Sequence, residues 1–419
     1  MKIILISILI LLISSVSVFG EGINNPRVVE LVSSALANNP ILKAASASIN
    51  SSQAMESVES SFNDPKIEFG IDSMSTKMFS LSQEFPFFGK LSLKGDIAHV
   101  DTKLSTSTFI DAKNSLIMDV KLAYLQIEFI DRSIELTEKN RQLLKKLVSI
   151  AETKYAVGNG LQQDVLKAQL ELSSTLNSQG ILKHDRITAV ARLNTLLYKE
   201  LISDSFEVTQ PLTMTPFDKT FEEIKALAVD NSTVLSSAKL ENEKAKLKRD
   251  LAQKDYYPDF MLKFSYTTSN PIISDYFTAI IGVSIPLWFS KQKNEVNSAE
   301  FEIESSMQRY NAALNNVSYK ISELLSIIDR SKEQIELYKN GIIPQAELSL
   351  NSAVSGYQVN NIDFLTMSSA QSELYKYQID YNEFIKEHEA AIAELSAIVG
   401  LELPFEGSAP KPPQRDSSL

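Results

Sequence analysis

Two hydrophobic periods alternate along this chain. Ile67, Phe69 and Ile71 alternate with Lys66, Glu68, Gly70 and Asp72, and Phe79, Leu81 and Phe85 alternate with Ser80, Ser82 and Glu84. Further on, Phe260, Leu262, Phe264 and Tyr266 share one parity, as do Phe277, Ala279, Ile281, Val283 and Ile285. Period two over such runs predicts four strands, about 65–85 and about 258–286, each with one apolar face. Pro65, Pro86, Pro258 and Pro286 bracket them, at strand ends where a missing backbone donor breaks no ladder.

Elsewhere the period is helical. Leu116, Val120, Ala123, Ile127, Ile130, Ile134, Thr137, Arg141, Leu144, Val148, Ala151 and Tyr155 are spaced alternately four and three apart. Val317, Ile321, Leu324, Ile328, Ser331, Ile335, Tyr338 and Ile342 continue the same rule. This is a heptad seam, which predicts coiled-coil packing. A helix over 91–154 would be roughly 95 Å long at 1.5 Å per residue, more than a globular core requires. Pro344 should kink the second helix or open a turn in it.

The two patterns recur in one order, so the chain reads as an internal repeat. VVELVSSALANNPILKAA (28–45) resembles FEEIKALAVDNSTVLSSA (221–238), and KYAVGNG (154–160) resembles GYQVNNI (356–362). Each half reads helix, two strands, very long helix, tip, long helix. The expected organisation is a first repeat over 21–207, a linker over 208–217 and a second repeat over 218–406. The tips fall at about 155–160 and 357–362, and a disordered tail follows over 407–419.

The N-terminus joins Lys2 to the apolar run Ile3–Ile13 and ends Val18-Phe19-Gly20-Glu21. This predicts a secretory signal peptide over 1–20. The alternative, a membrane anchor, needs about 18–20 apolar residues. No comparable run follows, so membrane entry would have to be by strands in a closed barrel. Four strands cannot close one, since bacterial barrels use eight or more; three copies would supply twelve. The helices carry Glu135, Glu138, Lys139, Lys145 and Lys146 and must project into water. A strand barrel with long helices reaching away from it describes a conduit.

At the foot of each long helix stands an aromatic joint: Pro86, Phe87, Phe88, Gly89 and Lys90, then Pro286, Leu287, Trp288, Phe289, Ser290 and Lys291. Aromatics favour the membrane interface, and Lys90 is expected to reach lipid headgroups. The alternative is ordinary core aromatics, against which the matched pair weighs.

Composition narrows the function. A net charge of −11 lacks the basic face that nucleic acid demands. The absence of cysteine removes disulfides, thiolate zinc sites, a thiol nucleophile and a lipidated cysteine. His99, His184 and His388 are too scattered for a zinc motif, Gly158-Asn159-Gly160 lacks the rest of a phosphate loop, and no Gly-x-Ser-x-Gly elbow occurs. Glu222-Glu223 reads as a solvated face. Met74 and Met78 could touch a soft metal, but packing explains them more simply. No catalysis, cofactor or metal site is expected.

Several stretches resemble the TolC-like outer-membrane factors: LSQEFPFFGK (81–90), KYAVGNGLQQDVLKAQ (154–169), YYPDF (256–260), VSIPLWFSKQ (283–292) and IIPQAELSLNSAVSGYQVNNIDFLTMSSAQ (342–371). The resemblance covers about residues 25–402 and rests on order, spacing and duplication. FPFFGK is more similar to the heavy-metal-efflux branch. The resemblance implies a mainly α chain with a small β part, its hairpins forming an α-barrel and its four strands joining a trimeric twelve-stranded transmembrane β-barrel. It implies the outer membrane as location, with helices in the periplasm, and lipid, a periplasmic adaptor (membrane fusion) protein and an inner-membrane pump of RND or ABC type as partners. Metal cations or small toxic compounds are the cargo this suggests; a type I protein-secretion channel is the alternative, and a periplasmic coiled-coil scaffold is a third.

In that family a Tyr-x-x-Gly turn forms the tip. The matching residues here are Tyr155 with Gly158, and Tyr357 with Asn360, expected to dock the adaptor. Asparagine also tolerates the left-handed conformation. Many relatives carry acidic residues just beyond the second tip, but Thr366 and Ser369 stand there. Asp363 is a candidate substitute in a lumen gate, where three copies would ring an axis; a solvated surface carboxylate is the other reading.

Overall fold

The computed structural model describes residues 26–71, 76–200, 213–268 and 275–403. The expected signal peptide, Met74, the first part of the linker and the tail lie outside them. The first half contains helices α1 (Pro26–Asn38) and α2 (Pro40–Glu59), strands β1 (Lys66–Ile71) and β2 (Lys77–Phe85), and helices α3 (Lys90–Ala156) and α4 (Gln162–Leu196). The second contains α5 (Phe221–Asn231), α6 (Thr233–Lys254), β3 (Asp259–Thr268), β4 (Tyr276–Ser284), α7 (Phe289–Leu337), α8 (Ile343–Gln358) and α9 (Phe364–Val399). Two short helices therefore precede each strand pair. Pro40 opens α2, where its missing N–H is an orphan in any case. No helix among the described residues is long and apolar enough to cross a membrane.

The chain divides into two units. One comprises residues 41–112 and 229–317 and contains an antiparallel sheet of order β1-β2-β3-β4. β2 pairs with β3 from Phe85–Phe260 to Lys77–Thr268, which joins the strands of the two halves. The register puts Ile67, Leu81, Phe264 and Ala279 in one row and Phe69, Phe79, Tyr266 and Phe277 in the next. Since side chains alternate along a strand, these apolar residues share one face, and nearly all of them are exposed. Gln83 is the polar exception between Ile67's row and the joint. The helices of this unit are tied by small polar residues: Ser107 Oγ lies 2.8 Å from Ser237 Oγ, and the Thr233 hydroxyl donates to Asp111 at 2.7 Å.

The other unit comprises residues 1–40, 113–228 and 318–419. Here the heptad seam is the core. Leu116, Val120, Ile127, Ile130, Thr137, Leu144 and Ala151 of α3 are buried, as are Ile321, Leu324, Ile328, Ser331 and Ile335 of α7. Just ahead of Pro344 the α-helix gives way to a wider turn, and the helical run continues past the proline. Tyr338–Ile342 form a π-helical turn, and α8 begins with proline in its first turn. The wider turn takes in one extra residue. Accordingly Ile328 lies 201 positions after Ile127, but Tyr357 lies 202 after Tyr155.

After the undescribed stretch, Thr215 is clamped by two consecutive residues of α9. Its N–H donates to Glu389 Oε1 at 2.6 Å, its hydroxyl donates to Glu389 Oε2 at 2.9 Å, and its carbonyl lies 2.8 Å from His388 Nε2. Burial pushes the Glu389 carboxyl above its ordinary value in spite of the Thr215 donors. The clamp supplies the partners that a buried His-Glu pair requires.

Candidate functional site

Both tips end their helices in the same way. The Asn159 N–H reaches the Lys154 carbonyl at 2.8 Å and the Gly158 N–H reaches Tyr155 at 3.0 Å; Asn361 reaches Gly356 at 2.8 Å and Asn360 reaches Tyr357 at 3.3 Å. This paired pattern is the Schellman motif, which places the penultimate residue in the left-handed region. Gly158 has φ +78° and Asn360 +63°. Space around Gly158 is open, so conformation rather than crowding selects glycine there. Gly160 differs: an added Cβ would stand 3.0 Å from Lys154 Cβ and from the Tyr155 nitrogen.

The two tyrosines are not equivalent within the chain. Tyr155 is 49% exposed, Tyr357 only 2%. Tyr357 packs with Leu144, Leu147, Ala168, Leu350, Phe364 and Met367. Its hydroxyl donates to Asp164 at 3.2 Å. The Lys154 ammonium lies 4.0 Å from its ring centroid and donates to its carbonyl. Burial, then the Asp164 carboxylate, pushes the phenol up to about 12. Lys154 and Asp164 were not singled out by sequence, because repeat alignment points along the chain rather than across the tip. Val157, Leu161, Val359 and Leu365 leave an apolar rim exposed around the two turns.

Asp363 caps α9, accepting from the Thr366 N–H at 2.8 Å. Hydrogen bonds from the Thr366 side chain and backbone hold its carboxyl below the usual range. Asp363, Thr366 and Ser369 are all exposed, and Ser369 Oγ donates to Glu373 at 3.3 Å.

At the first joint β2 ends before Pro86, and Gly89 turns the chain with φ +89°. Phe87 stacks on Tyr257 with centroids 4.5 Å apart, while Phe88 points outward. Lys90 corrects the expectation of a headgroup contact. It is only 6% exposed and lies 3.0 Å from both Asp255 and Asp259. Burial alone would lower its pKa; the Asp259 and Asp255 carboxylates outweigh that and hold it raised. Asp259 also accepts from the Phe87 N–H at 2.7 Å, so one carboxylate fixes both strand end and helix start. At the second joint Pro286 is half-buried, and Ile285, Leu287, Trp288 and Phe289 are exposed. Trp288 presents 79% of its surface.

The strand faces complete the arrangement: one exposed apolar face, an opposite face of serines, threonines and paired charges interspersed with Met78, Met261, Tyr276 and Ile280, and exposed aromatics at both joints. The profile of outer membrane efflux proteins matches residues 31–197 and 226–401. The chain belongs to the outer membrane efflux protein family. The two matched segments together exceed half its length and coincide with the two repeats of elements. Members of this family are outer-membrane channels with a periplasmic helical part, not enzymes.

A relative of this efflux protein, the cobalt-zinc-cadmium resistance protein CzcC of Cupriavidus metallidurans, is 20% identical over 319 residues, 74% of each chain. Among solved structures, CusC aligns with a TM-score of 0.76 at 15% identity, over 89% of this chain and 92% of its own. VceC from Vibrio cholerae aligns at 0.76 and 17% identity, over 89% and 96%. The open state of the MtrE channel of Neisseria gonorrhoeae aligns at 0.74 and 14%, over 90% of each chain. These likenesses establish the fold as that of outer membrane efflux channels.

Proposed function

We propose that three copies of this efflux protein form the outer-membrane exit duct of a tripartite system, with metal cations as cargo. The observation that carries the reading is the sheet. Its apolar face is exposed from edge to edge, a state stable only against lipid or another apolar surface. β1 and β4 each have one sheet neighbour, and edges left open in a bilayer would strand backbone groups. Pairing β4 of one copy with β1 of the next closes twelve strands. Phe87, Phe88 and Trp288 then lie at interface depth beside Pro86 and Pro286.

In this reading residues 1–20 are the export signal and the two repeats run over 21–207 and 218–406. The tips dock a periplasmic adaptor that links the duct to an inner-membrane pump. Tyr155 and the Gly158 turn offer the contact, while Tyr357 and Asn360 shape the tip from within. Asp363 stands where an acidic ring would face the lumen, with Thr366 and Ser369 on the following turn. The pump supplies the energy, and likeness to CzcC supports cobalt, zinc or cadmium as cargo.

Cells lacking this chain should lose tolerance to those ions and regain it with the wild-type gene. Gly158→Val should fail to restore tolerance while still giving trimers in the outer membrane, because a β-branched residue resists positive φ. Full tolerance in the deletion strain would contradict the cargo. Full rescue by Gly158→Val would contradict the docking role of the tip.

A further inference from the structure

The polar face of the sheet carries its charges at adjacent levels. Lys66 stands opposite Ser82, and Ser82 opposite Lys263. One level on, Glu68, Ser80, Ser265 and Thr278 form a row. Each charge has a partner of opposite sign. Lys66 Nζ donates to Glu84 Oε1 at 2.8 Å, and Lys263 Nζ donates to Glu68 Oε2 at 2.6 Å. The second bond runs from β3 to β1 across the whole of β2. It can do so because β2 places only serines beneath it: Ser80 is 1% exposed and Ser82 8%. The Ser80 hydroxyl donates to the same Glu68 oxygen at 3.2 Å. The other charged residue of that face among the described strands, Asp259, lies at the joint and shares Lys90 with Asp255.

We infer that this girdle is an electrically balanced throat, in which Lys263 and Glu68 set the charge selectivity of the barrel by cancelling one another. The inference rests on the proposed trimer, whose lumen the polar face would line. The chain carries −11 overall, yet at the levels of the Lys66–Glu84 and Lys263–Glu68 pairs the charges cancel and neither sign of ion is favoured. Low-dielectric walls focus the field of any unpaired charge, and three copies multiply it. The structure thus assigns charge preference to the pairing within the sheet, not to the net charge of the chain.

The cysteine-free sequence allows a direct test. Thr278→Cys places one thiol level with Glu68. The assembled protein in lipid vesicles is treated with a cationic and an anionic methanethiosulfonate, and the ratio of their rates is read. With the pairs intact, the ratio should match that of a small thiol in free solution. Lys263→Gln should raise the cation-to-anion ratio about sevenfold, since a local potential of about one kT acts oppositely on the two reagents. Glu68→Gln should lower it by a similar factor, and the double variant should restore it. Should Lys263→Gln fail to assemble, Lys66→Gln at the exposed end of β1 leaves Glu84 unpaired and shifts the ratio in the same upward direction. A reactive thiol with an unchanged ratio in the single variants overturns the inference and leaves the duct intact. A thiol inert to both reagents, with a Phe277→Cys thiol on the other face reactive, overturns the lumen assignment and the inference with it.

Discussion

Tyr198 ends α4 with φ +54°, a conformation that costs an L-residue about 1–2 kcal/mol. At the 202-residue offset stands Gly400, with φ +82°. The same helix end is thus built once with strain and once without. Tyr198 is exposed, so little packing offsets the strain. Tyr198→Gly is therefore expected to stabilise the protein by about 1 kcal/mol, read as a higher thermal unfolding midpoint; a lower midpoint would mean that the ring makes contacts worth more than the strain. The left-handed turns at Gly158 and Asn360 were legible in sequence, because few residues other than Gly and Asn suit them. The unlike burial of Tyr155 and Tyr357 was not. At the 202-residue offset Lys154 and Asp164 fall on Gly356 and Thr366, so only one tyrosine has a cation and a carboxylate at hand within the chain. Repeat resemblance implied equal roles for positions whose surroundings differ.

At the scale of elements, the strands were readable because period two persists where one face meets an apolar medium and the other does not. The heptad seam was readable for a similar reason: its apolar spacing is the buried stripe itself. What the sequence did not reveal were contacts between remote segments. The sequence points Lys90 toward lipid headgroups because it closes an aromatic joint. It turns inward to Asp255 and Asp259, and Asp259 lies 169 residues away. The lysine-glutamate arch across β2 was equally hidden, since it depends on the register between β1, β2 and β3. The π turn before Pro344 lets the helical run continue where proline removes one donor and an extra residue is present. Phe69→Arg and Phe264→Arg test the strand faces. Each places a charge on the apolar face, at a cost of about 2–4 kcal/mol near the bilayer midplane. Both should reduce insertion into the outer membrane and the yield of heat-resistant trimers. Normal yields from both variants would mean that this face does not meet lipid.

For the whole molecule, family membership fixes an outer-membrane efflux channel, and the open sheet explains why one chain is insufficient. A four-stranded open sheet with an exposed apolar face has no stable place in water or, alone, in lipid. In the proposed trimer the joining of copies would satisfy both its edges and its face, and the assembly is then expected to conduct. The central claim is tested most directly by purifying the mature protein, counting its subunits by crosslinking and recording single-channel currents in a planar bilayer. A trimer that inserts and conducts in discrete steps is the predicted result. A monomer that neither assembles nor inserts would contradict the duct.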